Sequence, residues 1–192
     1  MEQIRSFIAI ELPGEVKQAL TGLQEKLKAA GSAPVRWVDT DNIHLTLKFL
    51  GDIDSGITGG ITTTLAEAAR GTHPFNVVIS ELGVFPNPAR VQVVWVGLSG
   101  DLDKLSQLQK RIEDGLIPLG FKAEGRAFTP HLTLARVRDY AGPDARQQLG
   151  QLIGKTRIDA KYIIKVNAVQ LMRSQLTREG PIYTRISTIE IK

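Results

Sequence analysis

The order of apolar and polar positions runs twice along the chain. Ser6-Phe7-Ile8-Ala9-Ile10 is a short apolar run that ends before a Pro13-Gly14 break, as a buried strand does. Displaced by 87 positions lies Val93-Val94-Trp95-Val96-Gly97, a second such run. Behind the first run, Val16, Leu20, Leu23 and Leu27 recur at helical spacing. Leu102, Leu105, Leu108, Ile112 and Leu116 do the same behind the second, so each run predicts an amphipathic helix. The tetrapeptide His44-Leu45-Thr46-Leu47 then falls on an identical His131-Leu132-Thr133-Leu134, again at a displacement of 87. A glycine-containing break, a helical stretch around 57–70 or 143–153 and a strand-like run starting at Phe75 or Tyr162 complete each copy.

A β-α-β-α-β unit written twice predicts an α+β fold of two lobes related by an approximate two-fold, with matching positions facing one another across the joint. Pseudo-repeats of about 5–85 and 91–172 then form one bilobal domain over 1–192. The turn formers in Val84-Phe85-Pro86-Asn87-Pro88-Ala89-Arg90 mark the expected passage between lobes. The alternating stretch 181–191 predicts an extra edge strand.

Composition narrows the class without naming a chemistry. The 192 residues carry 42% hydrophobic positions and no cysteine, which excludes disulfides, thiolate metal clusters and a cysteine nucleophile, and fits a cytoplasmic protein. No run has the length of a membrane span, and the N-terminus lacks a signal-peptide pattern. The formal charge of +4 points only weakly to polyanions.

Chemistry enters with the tetrapeptides. In a regular strand His44, Thr46 and Lys48 project to one face, with Leu45, Leu47 and Phe49 on the other; His131 and Thr133 likewise oppose Leu132 and Leu134. Two imidazoles meeting in a cleft suit a reaction in which one proton is removed and another delivered, and phosphodiester cleavage is such a reaction. One histidine would deprotonate water and the other would protonate the departing ribose oxygen. Thr46 and Thr133, with a cation such as Lys48 or Arg136, would hold the non-bridging oxygens. Simple alternation places Arg136 on the leucine face unless the strand bulges first. The histidines have no nearby carboxylate, so no metal site is expected. Trp37 and Trp95 are expected in the core and His73 on the surface. Phe7, Phe49 and Tyr183 are candidates to line the cleft and stack on a nucleobase. Arg5, Arg36, Arg126 and Arg173 are candidates for phosphate contacts of longer RNA.

These residues resemble the 2H phosphoesterase superfamily, and within it the bacterial and archaeal RNA 2',3'-cyclic phosphodiesterases, also called 2'-5' RNA ligases. The resemblance is carried by Arg5 to Ile10, Trp37 to Gly51, Gly83 to Asn87, Phe128 to Arg136, Ser174 to Leu176 and Gly180 to Tyr183. It implies two antiparallel sheets backed by helices around a central cleft, with both HxTx motifs facing that cleft. It further implies hydrolysis of RNA 2',3'-cyclic phosphate ends, tRNA fragments among them, to 2'-phosphates without metal or nucleotide cofactor. His44 would be the proton donor and His131 the proton acceptor. Reversible, ATP-independent 2'-5' ligation would be a secondary activity, and a monomer is the expected state. Relatives in the wider superfamily act on small cyclic nucleotides, which leaves a small cyclic phosphate as the alternative substrate class. A binding module without catalysis is a second alternative.

Overall fold

The computed structural model describes residues 2–31, 34–159 and 161–192. The first copy of the pattern gives β1 (Gln3–Glu11), α1 (Gly14–Ala30), a short β2 (Val35–Trp37), β3 (His44–Asp54), α2 (Thr58–Ala69) and β4 (Phe75–Phe85). The second gives β5 (Val93–Gly100), α3 (Leu102–Leu116), β6 (His131–Val137), α4 (Pro143–Lys155), β7 (Ile163–Val166), β8 (Ala168–Leu176) and β9 (Pro181–Glu190). The helices form where their apolar stripes allow: Val16, Leu20 and Leu27 are buried on α1, and Leu105, Leu108, Ile112 and Leu116 on α3. Burying each such leucine contributes about 1.5–3 kcal/mol.

The strands make two antiparallel sheets, in the order β3-β1-β8-β9 and β2-β6-β5-β4-β7. The α+β, duplicated architecture expected from the repeat is the one observed. Each sheet is nonetheless built from both copies. The fourth strand of each copy has crossed, so that β8 pairs with β1 and β4 pairs with β5. Helices α2 and α3 pack against the four-stranded sheet, and α4 packs against β4 of the five-stranded one. Helix α1 joins that second layer, with Leu27 and Lys28 beside Val35, Trp37, Leu149 and Leu152.

Three expectations are corrected. The segment 84–90 does not pass the chain between lobes: Val84 and Phe85 are the end of β4, paired with Val94 and Val93 in a hairpin of one sheet. The chain visits the five-stranded sheet first at β2, returns for β3, and passes over to it again between α2 and β4, at residues 70–74. The run from Tyr162 is not the repeat counterpart of the run from Phe75 either; it breaks at Asn167, leaving β7 as an edge strand paired with β4 itself, while β8 takes the place in its sheet that β4 takes in the other. Finally, the first strands match one residue out of step with the tetrapeptides. Ala9 lies opposite Thr46 and Trp95 opposite Thr133, a displacement of one residue from the pairing of Ile8 with Trp95. Because a strand alternates faces, this single step exchanges core and cleft residues along the whole strand.

Candidate active site

His44 opens β3 and His131 opens β6, and these two strands approach one another where the lobes meet. Both imidazoles are held in the same way. The Nδ1 of His44 lies 2.8 Å from the Asn42 carbonyl oxygen, and the Nδ1 of His131 lies 2.7 Å from that of Thr129. A carbonyl only accepts, so each Nδ1 carries the proton and donates it, which leaves each Nε2 free for chemistry. The side chain of Asn42 donates to the Pro181 carbonyl at 3.1 Å, bracing the first support against β9.

The surroundings of the two rings differ. Phe7 stacks on His44 with centroids 4.5 Å apart, and Tyr183 meets it edge-on at 5.2 Å. Phe85 stands edge-on to His131 at 5.1 Å, with Trp95 6.3 Å away. Burial lowers the His44 pKa below its ordinary value. The Asn42 carbonyl and the Glu11 carboxylate oppose that shift, while Lys17 adds to it. Glu11, opposite His44 in the sheet, is paired with Arg185. Burial raises the Tyr183 pKa, against the pull of Arg136 and Arg5, so the phenol keeps its proton as a donor.

A β-bulge just after each HxT triplet decides which residues reach the cleft. In β3 the pairing with β1 skips Leu47, and in β6 the pairing with β5 skips Leu134. The extra residue reverses the alternation. Leu47 and Lys48 therefore both turn toward the helices, and so do Leu134 and Ala135, while Phe49 and Arg136 come onto the histidine face. Lys48 is thereby removed from the expected site. It is 5% exposed, and its Nζ donates to Glu113 Oε1 at 2.6 Å and to the Lys122 carbonyl at 2.9 Å. The same bulge delivers Arg136, for which simple alternation had predicted the opposite face. Phe49 is 64% exposed and lies 6.3 Å from Phe7, at the outer end of an aromatic row that begins at His44.

Each bulge carbonyl meets a buried glutamine. Gln24 of α1 donates to the Val38 and Leu134 carbonyls at 2.8 and 3.1 Å, and Gln109 of α3 donates to the Leu47 carbonyl at 3.4 Å and to Glu113 at 3.1 Å. Helical periodicity alone does not single these residues out. Their signal is a polar side chain within the apolar stripe, at the same place in both helices. Trp95, expected in the core, lies instead on the cleft face, flat across Gly83. A Cβ at Gly83 would stand 2.2 Å from the indole, so only glycine admits the ring there. Trp37 packs against the core as expected, and His73 is exposed.

Among the described residues, no three histidine or carboxylate side chains gather as metal ligands would, and no helix is long and apolar enough to cross a membrane. The assembled chemistry is two imidazoles with free Nε2 atoms, two threonine hydroxyls and one guanidinium around a cleft, a set suited to acid/base work on a phosphoester.

Known proteins resemble this chain in sequence and in fold. A family model described as LigT like Phosphoesterase matches residues 10–95 and again residues 96–183, once per repeat. The RNA 2',3'-cyclic phosphodiesterase of Methanothermobacter thermautotrophicus is 36% identical over 189 residues, 98% of this chain and 100% of that protein. A protein of the same name from Aquifex aeolicus is 32% identical over 191 residues, 96% of this chain and 95% of that one. Among solved structures, LigT of E. coli complexed with 3'-AMP superposes with a TM-score of 0.79 at 23% identity, covering 100% of this chain and 99% of that one. A Thermus thermophilus protein gives 0.77 at 25% identity, covering 98% of each. The chain belongs to the LigT-like family of 2H phosphoesterases.

Proposed function

We propose that this chain hydrolyses RNA 2',3'-cyclic phosphodiester ends to 2'-phosphomonoesters, with His44 and His131 as a general acid and base. The observation that carries this reading is the matched fixing of both imidazoles: each Nδ1 is tied to a backbone carbonyl two residues upstream, and each Nε2 is left free on the cleft face. His131 Nε2 takes a proton from water as its oxygen bonds to phosphorus. The bond from phosphorus to the ribose 3'-oxygen breaks, and His44 Nε2–H protonates that oxygen, leaving the phosphate on the 2'-oxygen. Thr46 and Thr133 hydroxyls donate to the non-bridging oxygens, and Arg136 offsets the charge that gathers there. Phe49 and Tyr183 offer faces and edges for the terminal nucleoside, whereas Phe7, expected to stack on a base, is 3% exposed and instead supports the His44 ring.

The lowered pKa of His44 fits the donor role once substrate is present. A bound phosphate anion favours the imidazolium, and an imidazolium held in a desolvating site gives up its proton readily. An RNA 5'-hydroxyl entering in place of water would break the same bond and form a 2'-5' linkage, driven by release of ring strain, so ATP-independent ligation is the expected secondary activity. Both histidines come from one chain, so the proposed site needs no second subunit. The test is to incubate the protein, in excess EDTA, with an RNA oligonucleotide ending in a 2',3'-cyclic phosphate and to follow the phosphorus by NMR. Appearance of a 2'-monoester supports the reading; a 3'-monoester, or an unchanged cyclic ester, contradicts it.

A further inference from the structure

The two lobes are not equal, and the difference is β2. The four-stranded sheet ends at β3, whereas the five-stranded sheet continues past β6 to Val35–Trp37. Val35 and Trp37 pack on the core side, so the residue between them, Arg36, faces the other way. The register places Arg36 directly opposite Arg136, the residue that the bulge has turned onto the histidine face. Like charges directly opposite on neighbouring strands are destabilising. Both arginines are exposed, and among the described residues neither forms a salt bridge. The guanidinium of Arg36 also reaches the other lobe, with Nη2 3.8 Å from where a Cβ on Gly180 would stand. Arg136 bears electrostatically on Tyr183 of that same lobe. Two neighbouring guanidiniums, neither in a salt bridge among the described residues, thus line the mouth of the cleft from one sheet to the other.

An added strand that costs repulsion next to the reacting groups calls for a compensating anion. The planar fork of arginine matches a phosphate. We propose that Arg36 forms a phosphate subsite beside Arg136, which takes the phosphodiester joining the terminal nucleotide to its 5' neighbour. Arg136 stands between that phosphodiester and the reacting phosphorus. The subsite makes the enzyme selective for RNA chains over mononucleotide cyclic phosphates, and so rests on the function proposed above.

The test compares kcat/KM for a dinucleotide and for a mononucleotide, each ending in a 2',3'-cyclic phosphate, in wild type, Arg36→Ala and Arg36→Lys, over a series of salt concentrations. Wild type is expected to prefer the dinucleotide. Arg36→Ala is expected to shrink that preference about tenfold, chiefly through KM, as loss of one charged hydrogen-bonding contact does. Arg36→Lys should recover part of it. The salt dependence of kcat/KM for the dinucleotide should weaken in Arg36→Ala, because one screened charge–charge attraction is lost. The melting temperature of Arg36→Ala should hold or rise, because a repulsion is removed, which separates the effect from misfolding. A wild type that opens both compounds, with an Arg36→Ala variant that keeps the dinucleotide preference or slows both substrates equally, overturns the subsite alone. A wild type that opens neither overturns the cyclic phosphodiesterase reading and the subsite together.

Discussion

Lys48 Nζ lies 2.6 Å from Glu113 Oε1, beneath the sheet and only two residues past Thr46. Glu113 also accepts from the Glu124 backbone N–H at 2.7 Å, and Lys48 holds the Lys122 carbonyl. The pair therefore fastens β3 to the loop that leaves α3 and leads to His131. A lysine in an HxTxK run reads as a phosphate ligand in a sequence; here it is a brace between the approaches to the two histidines.

Lys48→Ala would leave the Glu113 carboxylate buried without its cation. A loss of roughly 3–5 kcal/mol in unfolding free energy is expected, as for other broken buried pairs. The double change Lys48→Met, Glu113→Leu should cost less than Lys48→Ala alone. Urea unfolding of the three proteins checks this. Unchanged stability in Lys48→Ala, combined with lost turnover, would return Lys48 to the cleft.

Gln24→Leu strips the donor from the Val38 and Leu134 carbonyls at the bulge. Leaving those groups without it is expected to cost about 1–3 kcal/mol. Because the bulge is what brings Arg136 onto the histidine face, turnover should fall along with stability. A variant equal to wild type on both counts would show that the bulge stands without its glutamine.

Thr46→Ala and Thr133→Ala each remove one hydroxyl from the cleft. If each donates one hydrogen bond worth roughly 2–4 kcal/mol in the transition state, kcat should fall by about one to three orders of magnitude. Either histidine change should cost more. Losses equal to those of the histidine variants would mean that the threonines also move protons.

The pH dependence follows from His44. In the proposed donor role it must enter protonated, and burial holds its pKa below the ordinary value of about 6.5. The alkaline limb of kcat/KM, which reports the free enzyme, should therefore set in below about pH 6.5, and that of kcat at higher pH, where bound phosphate favours the imidazolium. The limbs are macroscopic, and a His44→Gln variant identifies the one that belongs to His44. Stability carries the same sign. Between the lowered folded value and about 6.5 the unfolded chain binds more protons, so stability rises with pH across that window and is flat above it. Denaturation midpoints from pH 5 to 8 check this. A midpoint that falls with rising pH in that window, or a slope unchanged in His44→Gln, contradicts the assignment.

Much of this architecture was legible in the sequence. The twin tetrapeptides and the apolar stripes of α1 and α3 carry strong periodic signals, and His44, Thr46, His131 and Thr133 stand on the face that alternation predicts. The bulges at Leu47 and Leu134 were not legible, because one extra residue in a strand leaves no mark on composition, yet it decides the fates of Lys48, Phe49 and Arg136. Nor was the exchange of β4 and β8 between sheets, since strands buried by long-range pairing read alike whichever sheet receives them. The one-residue step between β1 and β5 was hidden for a related reason: Ile8 and Ala9 are both apolar, and only the pairing of Ala9 with Thr46 and Trp95 with Thr133 reveals which of them matches Trp95.

The most direct measurement is the rate at which wild type, His44→Ala, His131→Ala and the double variant open an RNA 2',3'-cyclic phosphate in excess EDTA. The paired-histidine account predicts that each single change costs about two to four orders of magnitude in kcat. It also predicts that the double change costs little more than either, because the two groups act as a unit. A single variant that keeps wild-type turnover would contradict it.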